Sequence, residues 1–434
     1  MLLRSFILVF FIAVALKAEN ISLKEAIEIA LKKNATIKND SLQVDVNSWA
    51  VIEAYTAMLP KIYLNQSYSK REKTNYTDAQ REAARRAGTP LDEDTDYFTT
   101  SFSISQNLLS GTSLIDNVRL KKLQSESHTL QILIDRNEIV ISVIESFIAI
   151  SQAKAQIKSS EENIPRLKFL ISLARERNRV GVGVDLELRE AELQLLNEEL
   201  SISEAKDELE TAKDNLKRLL VFEFDKEIEI DDNEVLNFPR KELNLNNLLE
   251  SREKILSQRK AYYAIRQAEI NKSRAFGEHL PSLSANFSYS WPTDHTLNPD
   301  GNPTWQFSLN LSVPIFTSFA TTAAYKQARI QLDQAEITYR DNVYGMKQTI
   351  ITQYRNYERY KKRTELYKKI VEEASLVLNQ RIEEYRIGKG TMREILDAYK
   401  DLVDKRLLYI NNLYAGIKAY VDVIKIVSQE PIKL

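Results

Sequence analysis

The sequence predicts a mainly α-helical chain that also supplies strands to a transmembrane β-barrel. Three observations predict it. Chain breakers are scarce: Gly and Pro number 10 each in 434 residues, well under the roughly 7% and 5% usual for globular chains. Two stretches, Thr112 to Val180 and Ser318 to Ile387, hold one breaker each, Pro165 and Gly345. At about 1.5 Å per residue each stretch would reach roughly 100 Å as helix. Finally, four segments of about ten residues alternate apolar with small polar residues, the length of a tilted membrane strand.

The elements follow in order. Arg4 precedes the apolar run Phe6 to Leu16, and Ala15 and Ala18 flank a cleavage point. That run is too short to span a bilayer, so residues 1–18 read as a signal peptide. The first repeat is expected over 19–245, with strands at about 61–69 and 97–109. In the second of these Phe98, Phe102 and Ile104 alternate with Thr99, Ser101 and Ser103. Ser69 to Asp96 between them reads as a long charged loop. A very long helix then descends to a tight turn at about 181–185, and a helix returns. Phe222 to Asn246 is of mixed character. The second repeat, 246–434, has strands at about 282–291 and 305–316, where Leu283, Phe287 and Trp291 alternate with Ser284, Ser288 and Ser290. Its turn falls at about 388–391. The returning helix shows 3-4-3-4 spacing from Leu396 to Val427, with Arg406 the one polar intrusion. Tyr68, Tyr97, Trp291 and Trp305 stand at the loop ends of the strands, where an interfacial girdle lies.

The chain repeats itself. GVGVDLELREA (Gly181 to Ala191) matches GKGTMREILDA (Gly388 to Ala398), and Leu59-Pro60 matches Leu280-Pro281. Four strands cannot close a barrel and open edges are forbidden in lipid. The chain must therefore oligomerise, as a dimer with 8 strands or a trimer with 12. Helices of roughly 100 Å overrun a bilayer core of about 30 Å and must stand outside it.

Composition excludes several function classes. Sixty basic against 61 acidic residues give a net charge of -1, which offers no footprint for nucleic acid. Zero Cys removes disulfides, thiolate metal sites, thiol catalysis and lipid attachment at an N-terminal Cys. His128, His279 and His295 are scattered, with no metal spacing and no nucleophile motif. The Gly-Lys-Gly-Thr string at 388–391 lacks Walker spacing. No catalytic residue, metal or cofactor is expected.

Taken together, ISLKEAIEIALKKN (Ile21 to Asn34), FGEHLPSLSANFSYS (Phe276 to Ser290), LSVPIF (Leu311 to Phe316) and YRIGKGTMREILDAYKDLVDKR (Tyr385 to Arg406) resemble the TolC family of outer-membrane efflux and secretion channels. The resemblance spans nearly the whole chain after the leader. It implies a homotrimer with one 12-stranded barrel in outer-membrane lipid. Below that it implies an α-barrel of antiparallel coiled-coil helices reaching into the periplasm, with a mixed α/β belt at mid-height. It further implies a periplasmic adaptor and an inner-membrane transporter as partners, hence the exit duct of a tripartite efflux pump or type I secretion system. The lipid-anchored branch is excluded by the missing Cys. A periplasmic coiled-coil adaptor or structural protein is the rival reading, but it would carry Gly-rich β domains and no lipid-length strands.

The resemblance also assigns residues. Acids at the places of Glu394 and Asp397 ring the family's periplasmic constriction, and Glu187 and Glu190 are their repeat mates. Thr391-x-x-Glu394 also reads as a helix capping box. Tyr385 matches a tyrosine that bonds an acid at the place of Glu187, so these two form a candidate latch with Glu190 beside them. Where the type member has a latching arginine this chain has Gly390, with Lys389 and Arg393 as the nearby cations. Gly181, Gly183, Gly388 and Gly390 read as turn glycines at the tip where the adaptor docks in the family.

Overall fold

A computed structural model describes residues 19–71, 76–88, 95–181, 183–238, 240–250, 254–293 and 303–432. The leader expected at 1–18 and residues 294–302 of the second hairpin loop lie outside the described residues, as does the side chain of Tyr97. In chain order come β1 (Glu19–Ile21), α1 (Leu23–Lys33), α2 (Ala35–Thr56), β2 (Lys61–Arg71), α3 (Asp78–Ala87), β3 (Thr95–Ser110), α4 (Ser113–Arg179) and α5 (Asp185–Leu220). Then follow β4 (Ile228–Ile230), α6 (Asp232–Leu236), α7 (Leu245–Glu250), α8 (Leu256–Gly277), β5 (Ser282–Thr293), β6 (Thr304–Ser312), α9 (Ala320–Arg386) and α10 (Met392–Val427). The chain divides into two units: Met1–Ser41, Leu130–Arg259 and Asp341–Leu434 form one, Leu42–Thr129 and Lys260–Arg340 the other.

The second unit holds an antiparallel sheet of order β2-β3-β5-β6. Register lines the alternating residues up into rows. Ile62 faces Ile104, Ile104 faces Phe287 and Phe287 faces Phe307, while Leu64, Phe102, Tyr289 and Trp305 form the next row. Residues directly opposite one another share a face, so one face is apolar across all four strands. The other carries Tyr63, Ser103, Ser288 and Gln306, then Asn65, Ser101, Ser290 and Thr304. The apolar face is not packed on a core: Leu64 is 72% exposed and Trp305 69%. β2 and β6 are both open edges.

The long charged loop is not wholly irregular. Within it α3 forms on Ala- and Arg-rich sequence, started by a Thr77–Gln80 capping box and stopped by Gly88 at φ +65°. Both flanking strands run two residues further than the alternation alone predicts, to Arg71 and from Thr95. β6 stops at Ser312, short of the expected 316. Pro314 cannot donate to a ladder, and Ser318 and Phe319 take positive φ. At the β3–α4 junction Gly111 has φ +54°, and any side chain there would collide with the Gly277 carbonyl.

In the first unit β1 pairs in parallel with β4. Around this pair a core gathers Ile21 and Ala30, Phe147 of α4, Leu216 and Leu220 of α5, and Ile417 of α10. The mixed segment of the sequence thus becomes β4, α6 and α7. α4 and α9 each run 67 residues, about 100 Å at the helical rise. A separate core at their lower ends joins Leu167 and Leu170 of α4, Leu378 of α9 and Ile395 and Leu402 of α10. This cluster fixes the two helical hairpins to each other near their turns.

Candidate functional site at the hairpin tips

Each hairpin turns on glycine. Gly181 has φ +79° and Gly388 φ +76°, the left-handed region that side chains disfavour by about 1–2 kcal/mol. Gly183 and Gly390 serve by closeness instead. A Cβ on Gly183 would stand 2.6 Å from the Asn178 nitrogen, and one on Gly390 would stand 3.3 Å from the Tyr385 nitrogen and from Glu394 Oε2.

Past these turns the hairpins are tied together. The Tyr385 hydroxyl donates to Glu187 Oε2 at 3.1 Å, and the Met392 amide reaches Glu187 Oε1 at 3.5 Å. Met392 opens α10, while Glu187 lies in the first turn of α5, whose Val184 cap offers no side-chain bond. The carboxylate therefore sits where two helix N-termini concentrate positive potential. Tyr385 itself is 1% exposed. Burial pushes its hydroxyl above its ordinary range, and the Glu187 charge adds to that.

Arg177, near the end of α4, completes the contact. Its Nη1 donates to the Tyr385 carbonyl at 3.1 Å and its guanidinium lies 4.3 Å from the ring centroid. Lys389 and Arg393, the cations nearest Gly390, are exposed. Gly390 is closely packed by Tyr385 and Glu394, and the arginine beside Tyr385 comes from the other hairpin. Nothing in the heptad spacing marks Arg177; only the pairing of the two tips does.

The other predicted residues fall differently. Glu394 is engaged in its own helix cap: Oε2 accepts the Thr391 amide at 3.0 Å and the Glu394 amide donates to Thr391 Oγ1 at 3.3 Å. Asp397 is exposed. Tyr385 bonds Glu187, and Glu190, three residues further along α5, is half-buried.

A second tyrosine–carboxylate pair, Glu198 on α5 and Tyr399 on α10, lies farther from the turns and was not foreseen. The Tyr399 hydroxyl donates to Glu198 Oε2 at 3.0 Å, and Asn163 Nδ2 donates to Glu198 Oε1 at 3.1 Å. Glu198 is 3% and Tyr399 0% exposed. Burial, then the Glu198 charge, drives the Tyr399 hydroxyl far above its ordinary range. Arg406, the polar intrusion in the seam, lies 3.6 Å from Glu162. Burial and Arg166 hold its guanidinium below the usual value. The one heptad irregularity was the available signal for this node.

Among the described residues no cluster of His, Cys, Asp or Glu could hold a metal, and no helix is long and apolar enough to cross a membrane. The hydrogen bonds at the tips join elements of one hairpin to elements of the other.

Comparison with known proteins agrees with this geometry. The profile of the outer membrane efflux protein family matches twice, over residues 26–220 and 244–428. The outer membrane efflux protein BepC of Brucella suis biovar 1 (strain 1330) is 24% identical over 388 residues, covering 88% of this chain and 80% of that protein. Among solved structures, CusC superposes with a TM-score of 0.81 at 16% identity, over 93% of this chain and 91% of that one. VceC from Vibrio cholerae gives 0.78 at 14% identity, over 93% and 95%. The CmeC outer membrane channel of Campylobacter jejuni gives 0.72 at 20% identity, over 95% and 87%. With the family profile matched in both halves of a TolC-like fold, the chain belongs to the outer membrane efflux protein family, a family of outer-membrane channels rather than enzymes.

Proposed function

We propose that this protein is the passive exit duct of a tripartite efflux pump or type I secretion system. In this reading three copies pool their strands into a 12-stranded barrel, and the long helices reach into the periplasm. A periplasmic adaptor docks on the tips around Gly181, Gly183, Gly388 and Gly390 and hands over cargo from an inner-membrane transporter.

The observation that carries the proposal is the four-stranded sheet. It has a largely apolar face, an opposite face dominated by Ser, Thr, Asn and Gln, and two unpaired edges. Lipid tolerates such a sheet only when its edges are paired, and pairing β6 of one copy with β2 of the next does this without new structure. The polar face then lines water. The Tyr385–Glu187 pair, held by Arg177, acts as the latch that keeps the hairpins closed, and Glu394 and Asp397 contribute acids to the constriction. Light scattering of the detergent-extracted protein should give a trimer, and planar-bilayer recordings a low-conductance closed pore. A monodisperse monomer, soluble without detergent and silent in bilayers, would overturn the reading.

A further inference from the structure

Helix α3, in the loop between β2 and β3, buries none of its ten residues. Ten residues is also below the length of about 12–15 at which an isolated helix holds in water. Its two caps, the Thr77–Gln80 box and Gly88, fix where it starts and stops. Its faces differ in kind. Ala79, Ala83 and Ala87 recur every four residues on one side, and Arg81 and Arg85 stand on the opposite side.

The arginine side carries charge that the described residues do not neutralise. Arg86 pairs with Glu82 at 3.4 Å, and Asp78 sits in the first turn, where an acid answers the positive end of its own helix. Arg81 and Arg85 are exposed and make no ion pair among the described residues. Four residues apart on a helix, they present two guanidinium groups on neighbouring turns. Such planar forks match phosphate oxygens two at a time. Position supplies the phosphates. Tyr68 lies three residues before the end of β2, and Trp291 and Trp305 stand near the same end of β5 and β6. Aromatic residues of a barrel mark the lipid–water interface. Residues 72–77 join β2 to α3, so at about 3.5 Å per residue the helix starts no more than about 25 Å from the strand end. It is tethered within reach of the headgroups.

The inference rests on the reading above, in which the long helices stand in the periplasm and the hairpin loops therefore face outside. We propose that α3 is a headgroup anchor. It lies flat on the outer leaflet, with Arg81 and Arg85 on the phosphate groups of the glycolipid headgroups and its alanine side turned away. Alanines offer too little apolar area to enter the acyl region, so the contact is electrostatic. Anchoring of this kind holds the loop to the membrane and off the barrel mouth. Asp92, Glu93, Asp94 and Asp96 on the loop's other arm are the competing acceptors for the two arginines.

Amide hydrogen exchange of the full-length protein in lipid nanodiscs tests this. Discs of phosphatidylcholine alone are compared with discs that also contain diphosphoryl lipid A, both with divalent cations chelated. Amides of residues 78–87 should exchange on the order of thirtyfold more slowly with lipid A, the effect of two basic residues held at an anionic surface. Arg81→Gln with Arg85→Gln should abolish that difference, and Arg81→Lys with Arg85→Lys should keep part of it. Inorganic phosphate added to the phosphatidylcholine discs should give no protection; equal protection would mean an ion site rather than a lipid anchor. Equal exchange in the two discs, with the trimer intact, would overturn the anchor and assign the arginines to the loop's own acids. Protection that survives in the glutamine variant would overturn the role of these two residues. A monomeric protein, or Ala83→Cys labelled only after the outer membrane is broken, would instead overturn the underlying reading.

Discussion

Glu187 illustrates how one residue can serve two elements at the hairpin tips. It lies in the first turn of its own helix, accepts the Tyr385 hydroxyl and reaches the first amide of α10. Removing the hydroxyl with Tyr385→Phe should loosen the tips, read as a higher resting conductance in planar bilayers. An unchanged conductance would mean that the pair is structural only. Deeper in the bundle, Tyr399→Phe leaves the buried Glu198 carboxylate with Asn163 as its remaining donor, and should cost about 1–3 kcal/mol of stability. The two tyrosines also set an alkaline limit. Both hydroxyls are raised above the ordinary value of 10.0 in the folded protein. Above pH of about 10 the unfolded chain loses those protons first, so the folded state binds more protons and stability falls as pH rises. The stabilisation is intact below that range. Thermal unfolding between pH 8 and 11 should show this decline, and the double Tyr→Phe variant should flatten it.

Elements add constraints that no single residue states. Thr391 and Glu394 form a reciprocal cap on α10, so Glu394→Ala should cost about 0.5–2 kcal/mol. Asp397→Ala makes no such loss, because Asp397 stands exposed beyond the cap. If the two acids also ring the constriction, the double variant should weaken block by trivalent cations and cation selectivity in bilayer recordings, beyond any change in stability. Unchanged block would leave the cap as Glu394's whole role. In the sheet, the two faces predict opposite tolerance. Lysine at Phe287, on the apolar face, should impair outer-membrane insertion, at about 2–4 kcal/mol if it falls near mid-bilayer. Lysine at Ser288, on the polar face, should be accepted. Equal behaviour of the two variants in heat-modifiability gels would contradict the assignment of faces.

For the whole molecule, the testable consequence is orientation. α3 has no buried residue, Ala83 is exposed, and the helix lies between β2 and β3 in the chain, so Ala83→Cys should react with an impermeant maleimide on intact cells. Labelling only after the outer membrane is broken would reverse the topology. Much of this architecture was legible beforehand because it rests on local periodicity. Scarce breakers imply long helices, period two implies two-faced strands, and a capping box or a turn glycine acts within four residues. The sequence by itself therefore determined the helical hairpins, the four strands and the chemistry of both sheet faces. Apart from the Tyr385–Glu187 pair that the family resemblance suggested, the tertiary structure alone decided which distant groups meet. Arg177 reaches Tyr385 from 208 positions away, and Tyr399 finds Glu198 across 201. The physical reason is that these pairings are set by how the two hairpins pack side by side, a relation that leaves no period in the chain. The lone exception was Arg406, whose intrusion in an apolar seam marked a buried polar node without naming its partners.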